Sequence, residues 1–156
     1  MMNGATLNKL HDMRLSAMAE AYRQQLSDPA IGALEFEERF GLLVDAEWSR
    51  RKSNRLNKLI RKADLQHSSA AIENIEYHAD RKLDKGQIAR LAGCAYITEK
   101  HNIIILGASG SGKTYLSCAF GIAACRNFYT VKYVRLRELL HEMAVARGEG
   151  SNQMVR

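Results

Sequence analysis

Asn102-Ile-Ile-Ile-Leu106, followed at once by Gly107-Ala-Ser-Gly-Ser-Gly-Lys-Thr114, decides what fold this chain is expected to have. The apolar run reads as a buried β-strand, and the next eight residues complete the G-x-x-x-x-G-K-[ST] phosphate loop. In such a loop successive backbone N–H groups face an anion, and glycines let the chain come close to it. Gly107, Ala108, Ser109, Gly110, Ser111, Gly112, Lys113, Thr114 and the following Tyr115 are therefore the candidate nucleotide-binding residues. Lys113 is placed to reach the β- and γ-phosphates, and Thr114 to offer its hydroxyl to Mg²⁺. Tyr115 to Ala124 has helical length and composition, so the helix dipole would point at the same anion. The pattern predicts a site for a nucleoside triphosphate with its Mg²⁺.

The 156 residues suffice for one domain with a core, or a small domain and part of another. With 46% hydrophobic and 26% charged residues the composition is that of an ordered globular chain. No apolar run approaches transmembrane length, and Met1-Met-Asn-Gly-Ala-Thr6 lacks the build of a secretory signal, so no membrane partner is expected. Three cysteines argue against a disulfide framework and fit a reduced, cytoplasmic setting. Cys118 and Cys125 read as core thiols. The net charge of +6 is unevenly spread. Residues 1–49 carry four basic and eight acidic side chains, whereas residues 50–62 carry seven basic and none acidic. A concentration of this kind resembles a binding face more than a uniformly solvated surface.

Leu7 to Leu26 is expected to form one helix, stopped by Ser27-Asp-Pro29. A second helix starts near Leu34, with Phe36, Phe40, Val44 and Trp48 recurring every four residues as an amphipathic face. The basic stretch extends it. Arg51, Arg55, Lys58 and Lys62 share one stripe, opposite an apolar face of Leu56, Leu59, Ile60 and Ala63. That stripe is the candidate DNA-binding surface, and because it holds no base-reading motif, its contacts would be to phosphates of any sequence. Residues 1–65 thus read as a helical domain, and residues 66–156 as part of a phosphate-loop domain. Within the latter, Gln66 to Ala71 is a linker, Ile72 to Tyr77 a short strand or loop, and Leu83 to Leu91 a short helix with Asp84 at its start. Thr130 to Val134 is a second strand, and Leu136 to Arg147 a helix stopped by Gly148-Glu-Gly150. The order strand, loop, helix, strand, helix predicts the opening of a parallel α/β sheet. Two strands cannot bury both faces of such a layer, so the chain is expected to be the front part of a longer protein or a truncated product.

Several elements resemble the IstB-like transposition helper ATPases, in the same AAA+ clade as the DnaC helicase loaders. In the front half the resemblance rests on Arg14-Leu15, Met18-Ala-Glu-Ala21, Phe36-Glu-Glu-Arg-Phe40, and Leu43 with Asp45-Ala-Glu-Trp48 and Arg50-Arg51. In the back half it rests on Asn102 to Gly107, the phosphate loop, Cys125-Arg126, the Val131-Lys-Tyr-Val134 run and Glu138-Leu-Leu140. The resemblance implies an N-terminal helical domain followed by the first part of an AAA+ α/β domain. It implies an ATP- and Mg²⁺-dependent protein that assembles as a homo-oligomer on DNA and assists a partner transposase. It also implies that the segment ahead of the loop helps to enclose adenine, with Ile75 and Tyr77 the matching positions. The loop reads Ala108-Ser109 where this family often has prolines. The family's Walker B acidic pair, sensors and arginine finger have no counterpart in these residues.

Three function classes follow. The first is an AAA+ ATP-binding protein acting on DNA. The second is a phosphate-loop kinase or GTPase, disfavoured because the guanine-reading Asn-Lys-x-Asp is missing and the loop comes late. The third is a non-hydrolysing module that binds DNA or a partner. Phosphate binding alone does not accelerate hydrolysis, which also needs a group to position water and cations for the transition state. The expected result for this chain is ATP binding with little or no turnover. Steady phosphate release by the purified chain, stimulated by DNA, would overturn that expectation.

Overall fold

The computed structural model describes residues 2–78 and 81–148. Eight α-helices are present among them: α1 (Met2–Asp12), α2 (Ser16–Ser27), α3 (Pro29–Gly32), α4 (Phe36–Ala63), α5 (Lys85–Ala92), α6 (Ala95–Thr98), α7 (Lys113–Arg126) and α8 (Leu136–Gly148). The Gly148-Glu-Gly150 stop lies partly outside the described residues. A 3-10 turn spans Ile72–Asn74. The chain divides into two compact units, Met1–Arg55 and Leu56–Arg156, the division falling within α4.

In the first unit the single helix expected over Leu7 to Leu26 is two. Arg14 adopts a left-handed φ of 59° and ends α1. Its backbone N–H bonds to the carbonyl of His11, and that of Leu15 to the carbonyl of Leu10. Leu15 precedes α2 but gives it no side-chain cap. The cap comes from a residue thirty positions along the chain. Glu47 Oε2 accepts hydrogen bonds from the backbone N–H groups of Ala17 (2.9 Å) and Met18 (3.3 Å), while Oε1 accepts from Arg51 Nε (2.9 Å) and Arg50 Nη2 (3.2 Å). A carboxylate at a helix N-terminus satisfies orphan donors and the dipole together. Pro29 does stop α2, and it opens α3 under an Asp28 cap that accepts from Ala30 N–H. The amphipathic Phe36, Phe40, Val44 and Trp48 face is exposed.

The second unit is built around α7. Ala70, Cys118, Ala119 and Ile122 form one buried cluster; Ile75, Ile88, Leu116 and Phe120 a second; Cys94, Ala123 and Ala124 a third. Each cluster contains α7 side chains, so this helix is buried on nearly every side. Helix α5 forms as expected, with the Asp84 carboxylate accepting from Gly86 and Gln87 N–H at 2.8 and 3.1 Å. Cys94, Cys118 and Cys125 are buried, and burial raises the thiol pKa of Cys94 and Cys125.

The expected parallel α/β sheet does not form. Among the described residues there is no strand. The Asn102–Leu106 and Thr130–Val134 runs have no regular secondary structure but keep a strand's alternation of burial, with Ile103, Ile105, Val131 and Tyr133 partly buried. They lie along α7 and line one cavity of about 600 Å³ without hydrogen-bonding to each other. Tyr133 N–H bonds instead to the Ala63 carbonyl at 2.8 Å. Ile104 and Leu106 are 80% and 87% exposed, which shows why no sheet results. A parallel ladder needs both faces covered, and here only one face has a helix against it.

The Glu47 latch carries a pH dependence. Burial raises its pKa, but the hydrogen bonds from Arg51, Arg50, Met18 and Ala17 outweigh burial and hold it at about 2. The folded carboxyl is therefore more acidic than the unfolded one. Its stabilisation is present above about pH 4.5 and is lost as pH falls toward 2, a contribution on the order of 3 kcal/mol. Glu47→Gln should speed hydrogen exchange at the Ala17 and Met18 amides at pH 7. The gap between wild type and variant should close in acid, and a gap unchanged at pH 3 would refute the latch.

Candidate functional site

The phosphate loop joins Leu106 to the first turn of α7. Two of its glycines are required by the backbone. Gly110 and Gly112 have φ of 77° and 86°, a region costly for residues with a Cβ. Gly107 meets a different limit, because a Cβ there would lie 2.9 Å from Ser111 Oγ. Lys113 Nζ donates to the carbonyls of Gly107 (2.9 Å) and Ala108, folding the side chain back over the loop. Gly107, Ala108, Gly110, Ser111, Gly112 and Lys113 line a cavity of about 640 Å³, together with Arg81, Leu83, Ile105, Leu106 and Leu116.

Arg81 was not found from the sequence. Its Nη1 donates to the Glu76 carbonyl at 2.8 Å and its Nη2 to the Ser111 carbonyl at 3.2 Å. The same Nη2 lies 3.0 Å from where a Cβ on Gly112 would be. The guanidinium thus ties the segment ahead of α5 to the loop, thirty residues away. Arg81 also borders an adjoining cavity of about 200 Å³, lined by Asn74, Ile75, Glu76, Gly112, Tyr115 and Leu116. No local pattern marks such a residue, because only the fold brings it to the loop.

The remaining candidates are arranged as follows. Thr114 faces the cavity of about 600 Å³ beside Lys113 and Ser117. Tyr115 is half-buried, and its hydroxyl oxygen accepts from Ala71 N–H at 3.3 Å. Ser109 is exposed and does not line the loop cavity. Ile75 is buried against Ile88, Leu116 and Phe120 while also reaching the smaller cavity. Tyr77 lies outside that cavity, with Lys85 Nζ 5.8 Å from its ring centroid. Among the described residues no cluster of His, Cys, Asp and Glu could hold a metal. Thr114, the motif position whose hydroxyl would reach Mg²⁺, is not among the residues that line the loop cavity.

Residues 8–155 match the family described as IstB-like ATP binding protein. The chain belongs to that family. It is 41% identical over 151 residues to an ATP-binding protein, so named, of insertion sequence IS1162 from Pseudomonas fluorescens, covering 97% of this chain and 65% of that protein. Two insertion-sequence ATP-binding proteins of Sinorhizobium fredii, y4pL and y4uH by name, are 39% and 36% identical, covering 93% and 97% of this chain and 59% and 60% of theirs. The chain therefore spans less than two thirds of the length of these IstB-like relatives. No described helix is long and apolar enough to cross a membrane.

The basic stretch lies entirely in α4. Arg51 is partly committed to the fold, through Glu47 and through a 3.4 Å bond to the Arg14 carbonyl. Arg55, Lys58 and Lys62 are exposed.

Proposed function

We propose that this chain binds the triphosphate of ATP over the Gly107–Thr114 loop and serves, as an insertion-sequence protein, to assist a transposase on DNA. The observation that carries the nucleotide reading is the convergence of Lys113 and Arg81 on one cavity walled by loop backbone at the N-terminus of α7. Both cations spend donors on neutral carbonyls in the structure. Charge-assisted bonds to phosphate oxygens are roughly twice as strong as bonds between neutral groups, so an anion entering the cavity competes well for both side chains. The helix dipole adds to the attraction. Thr114 would hold Mg²⁺ jointly with the phosphates. The metal supplies charge neutralisation on the β- and γ-oxygens when bound.

The names of the relatives support the link to insertion sequences. The DNA reading rests on the exposed cations of α4, and the transposase on the family. Neither the oligomer nor the location in the cytoplasm is needed by this geometry; both follow from the family resemblance and the reduced cysteines.

Two measurements test the reading. Lys113→Ala should weaken binding of a fluorescent ATP analogue by roughly ten- to a hundred-fold, the loss of one charge-assisted contact of about 1.5–3 kcal/mol. Arg81→Ala should weaken it by about ten-fold and narrow the preference for ATP over adenosine, with Arg81→Lys falling between. Unchanged affinity in Lys113→Ala would remove the nucleotide site altogether. For DNA, charge reversal at Arg55, Lys58 and Lys62 should lower the log–log salt slope by about 2.7, at about 0.9 per phosphate contact. The loss should be similar on any duplex. A slope change of one unit or less would assign these side chains to solvent or to protein contacts.

A further inference from the structure

Arg81 stands between two cavities. It lines the phosphate-loop cavity of about 640 Å³ and also the smaller one of about 200 Å³, a double position shared only with Gly112 and Leu116 among the described residues. Gly112 has no side chain and Leu116 is buried, so Arg81 is the one charged group at this junction. The two cavities differ in what lines them. Loop backbone and Lys113 wall the larger, a surface made for an anion. Ile75, Leu116 and Tyr115 line the smaller, together with Asn74 and Glu76, and such a mixed, mainly apolar wall suits the uncharged part of a ligand.

The direction in which a nucleotide lies across these cavities follows from the loop. The lysine of a phosphate loop meets the β- and γ-phosphates. Lys113 also borders the cavity of about 600 Å³, which Arg81 does not reach. The outer phosphates therefore belong at the Lys113 end, and the nucleoside at the other end, where Arg81 stands. The guanidinium is placed against the loop there: Nη2 lies 3.2 Å from the Ser111 carbonyl oxygen and 3.0 Å from where a Cβ on Gly112 would be. Nη1 is tethered to the Glu76 carbonyl at 2.8 Å, while the Glu76 carboxylate pairs with His78 instead. Among the described residues no carboxylate forms an ion pair with Arg81, and two bonds do not exhaust the five N–H donors of a guanidinium.

We infer that Arg81 is the α-phosphate residue of the site, holding the phosphate at which the triphosphate joins the nucleoside and so fixing which way the nucleotide lies. The inference rests on the nucleotide reading given above. On binding, Nη1 keeps the Glu76 carbonyl, and Nη2 exchanges the Ser111 carbonyl for a phosphate oxygen, a stronger, charge-assisted partner. The two cations then read different parts of the ligand. Lys113 meets phosphates that AMP lacks, whereas Arg81 meets the one phosphate common to AMP, ADP and ATP.

Calorimetric titration of the full chain with ATP, ADP, AMP and adenosine tests it. Arg81→Ala should weaken AMP, ADP and ATP by one common factor of about ten, the loss of a single charge-assisted contact. It should leave adenosine unchanged, and Arg81→Lys should recover part of the loss for all three nucleotides. Lys113→Ala should weaken ADP and ATP but not AMP. The phosphorus resonances of ATP bound at saturation give a second reading. Arg81→Ala should move the α resonance most, and Lys113→Ala the β and γ resonances. A loss in Arg81→Ala that grows from AMP to ATP would put Arg81 on the outer phosphates and overturn the inference while the nucleotide site stands. Equal weakening of adenosine would make Arg81 a strut of the fold, and wild type that binds AMP no better than adenosine would leave no α-phosphate contact; either result overturns it too. Wild type that binds none of the four ligands would remove the site itself, and the inference with it.

Discussion

The second unit depends on the burial of α7. Every cluster of its core includes side chains from this one helix, and the phosphate loop is the segment leading into its first turn. The helix can be surrounded because its residues are small. Cys118, Ala119, Ala123, Ala124 and Cys125 are all buried, and at Gly121 a Cβ would lie 3.0 Å from Leu65 Cδ2. Close-packed interiors resist displacement, so a helix held by three buried clusters fixes the position of whatever is attached to its end. Lys113 begins that helix. The direction of the loop N–H groups is therefore set by packing several turns away, and not by the loop alone.

The same burial explains how much of the site could be read from the chain. The loop is a local feature: eight consecutive residues specify its glycines, its lysine and the helix that follows, and the structure places them together. Asp84 is equally local, since a cap bonds two or three residues ahead. Pairing is not local. Ile103, Ile105, Val131 and Tyr133 alternate like strand residues, yet alternation states only which side chains point inward and says nothing about what the backbone bonds to. Arg81 was hidden for the same reason, since thirty residues separate it from Ser111. The α1–α2 break was hidden for another. Arg14 takes a left-handed turn with neither glycine nor proline to announce it.

Period-four apolar residues leave a different question open. Phe36, Phe40, Val44 and Trp48 satisfy the pattern of a helix packed on a core, but periodicity cannot say whether the covering surface belongs to the same chain. Glu47 lies within this segment and is almost wholly buried, while Trp48 beside it is 60% exposed. One acidic and one aromatic neighbour have thus exchanged the places their chemistry suggests. The exchange is favourable for Glu47 only because four donors meet its two oxygens. Without them a buried carboxylate would be a net cost.

That arrangement changes how the basic stretch is understood. Seven cations in thirteen residues look like one uniform surface in the sequence, but they are divided by what they touch. Arg50 and Arg51 neutralise Glu47 and hold α2 to α4, so replacing either acts on the fold before it acts on any ligand. Lys58 and Lys62 project from a later part of the helix and have no such duty among the bonds that build the first unit. A charge engaged by a buried carboxylate has less to offer a polyanion than one facing water, because part of its field is already cancelled. Electrostatic attraction for nucleic acid should therefore rise along α4 toward its C-terminal end. Within the Asp45-Ala-Glu-Trp-x-Arg-Arg element, Glu47, Arg50 and Arg51 thus build a helix cap made at a distance.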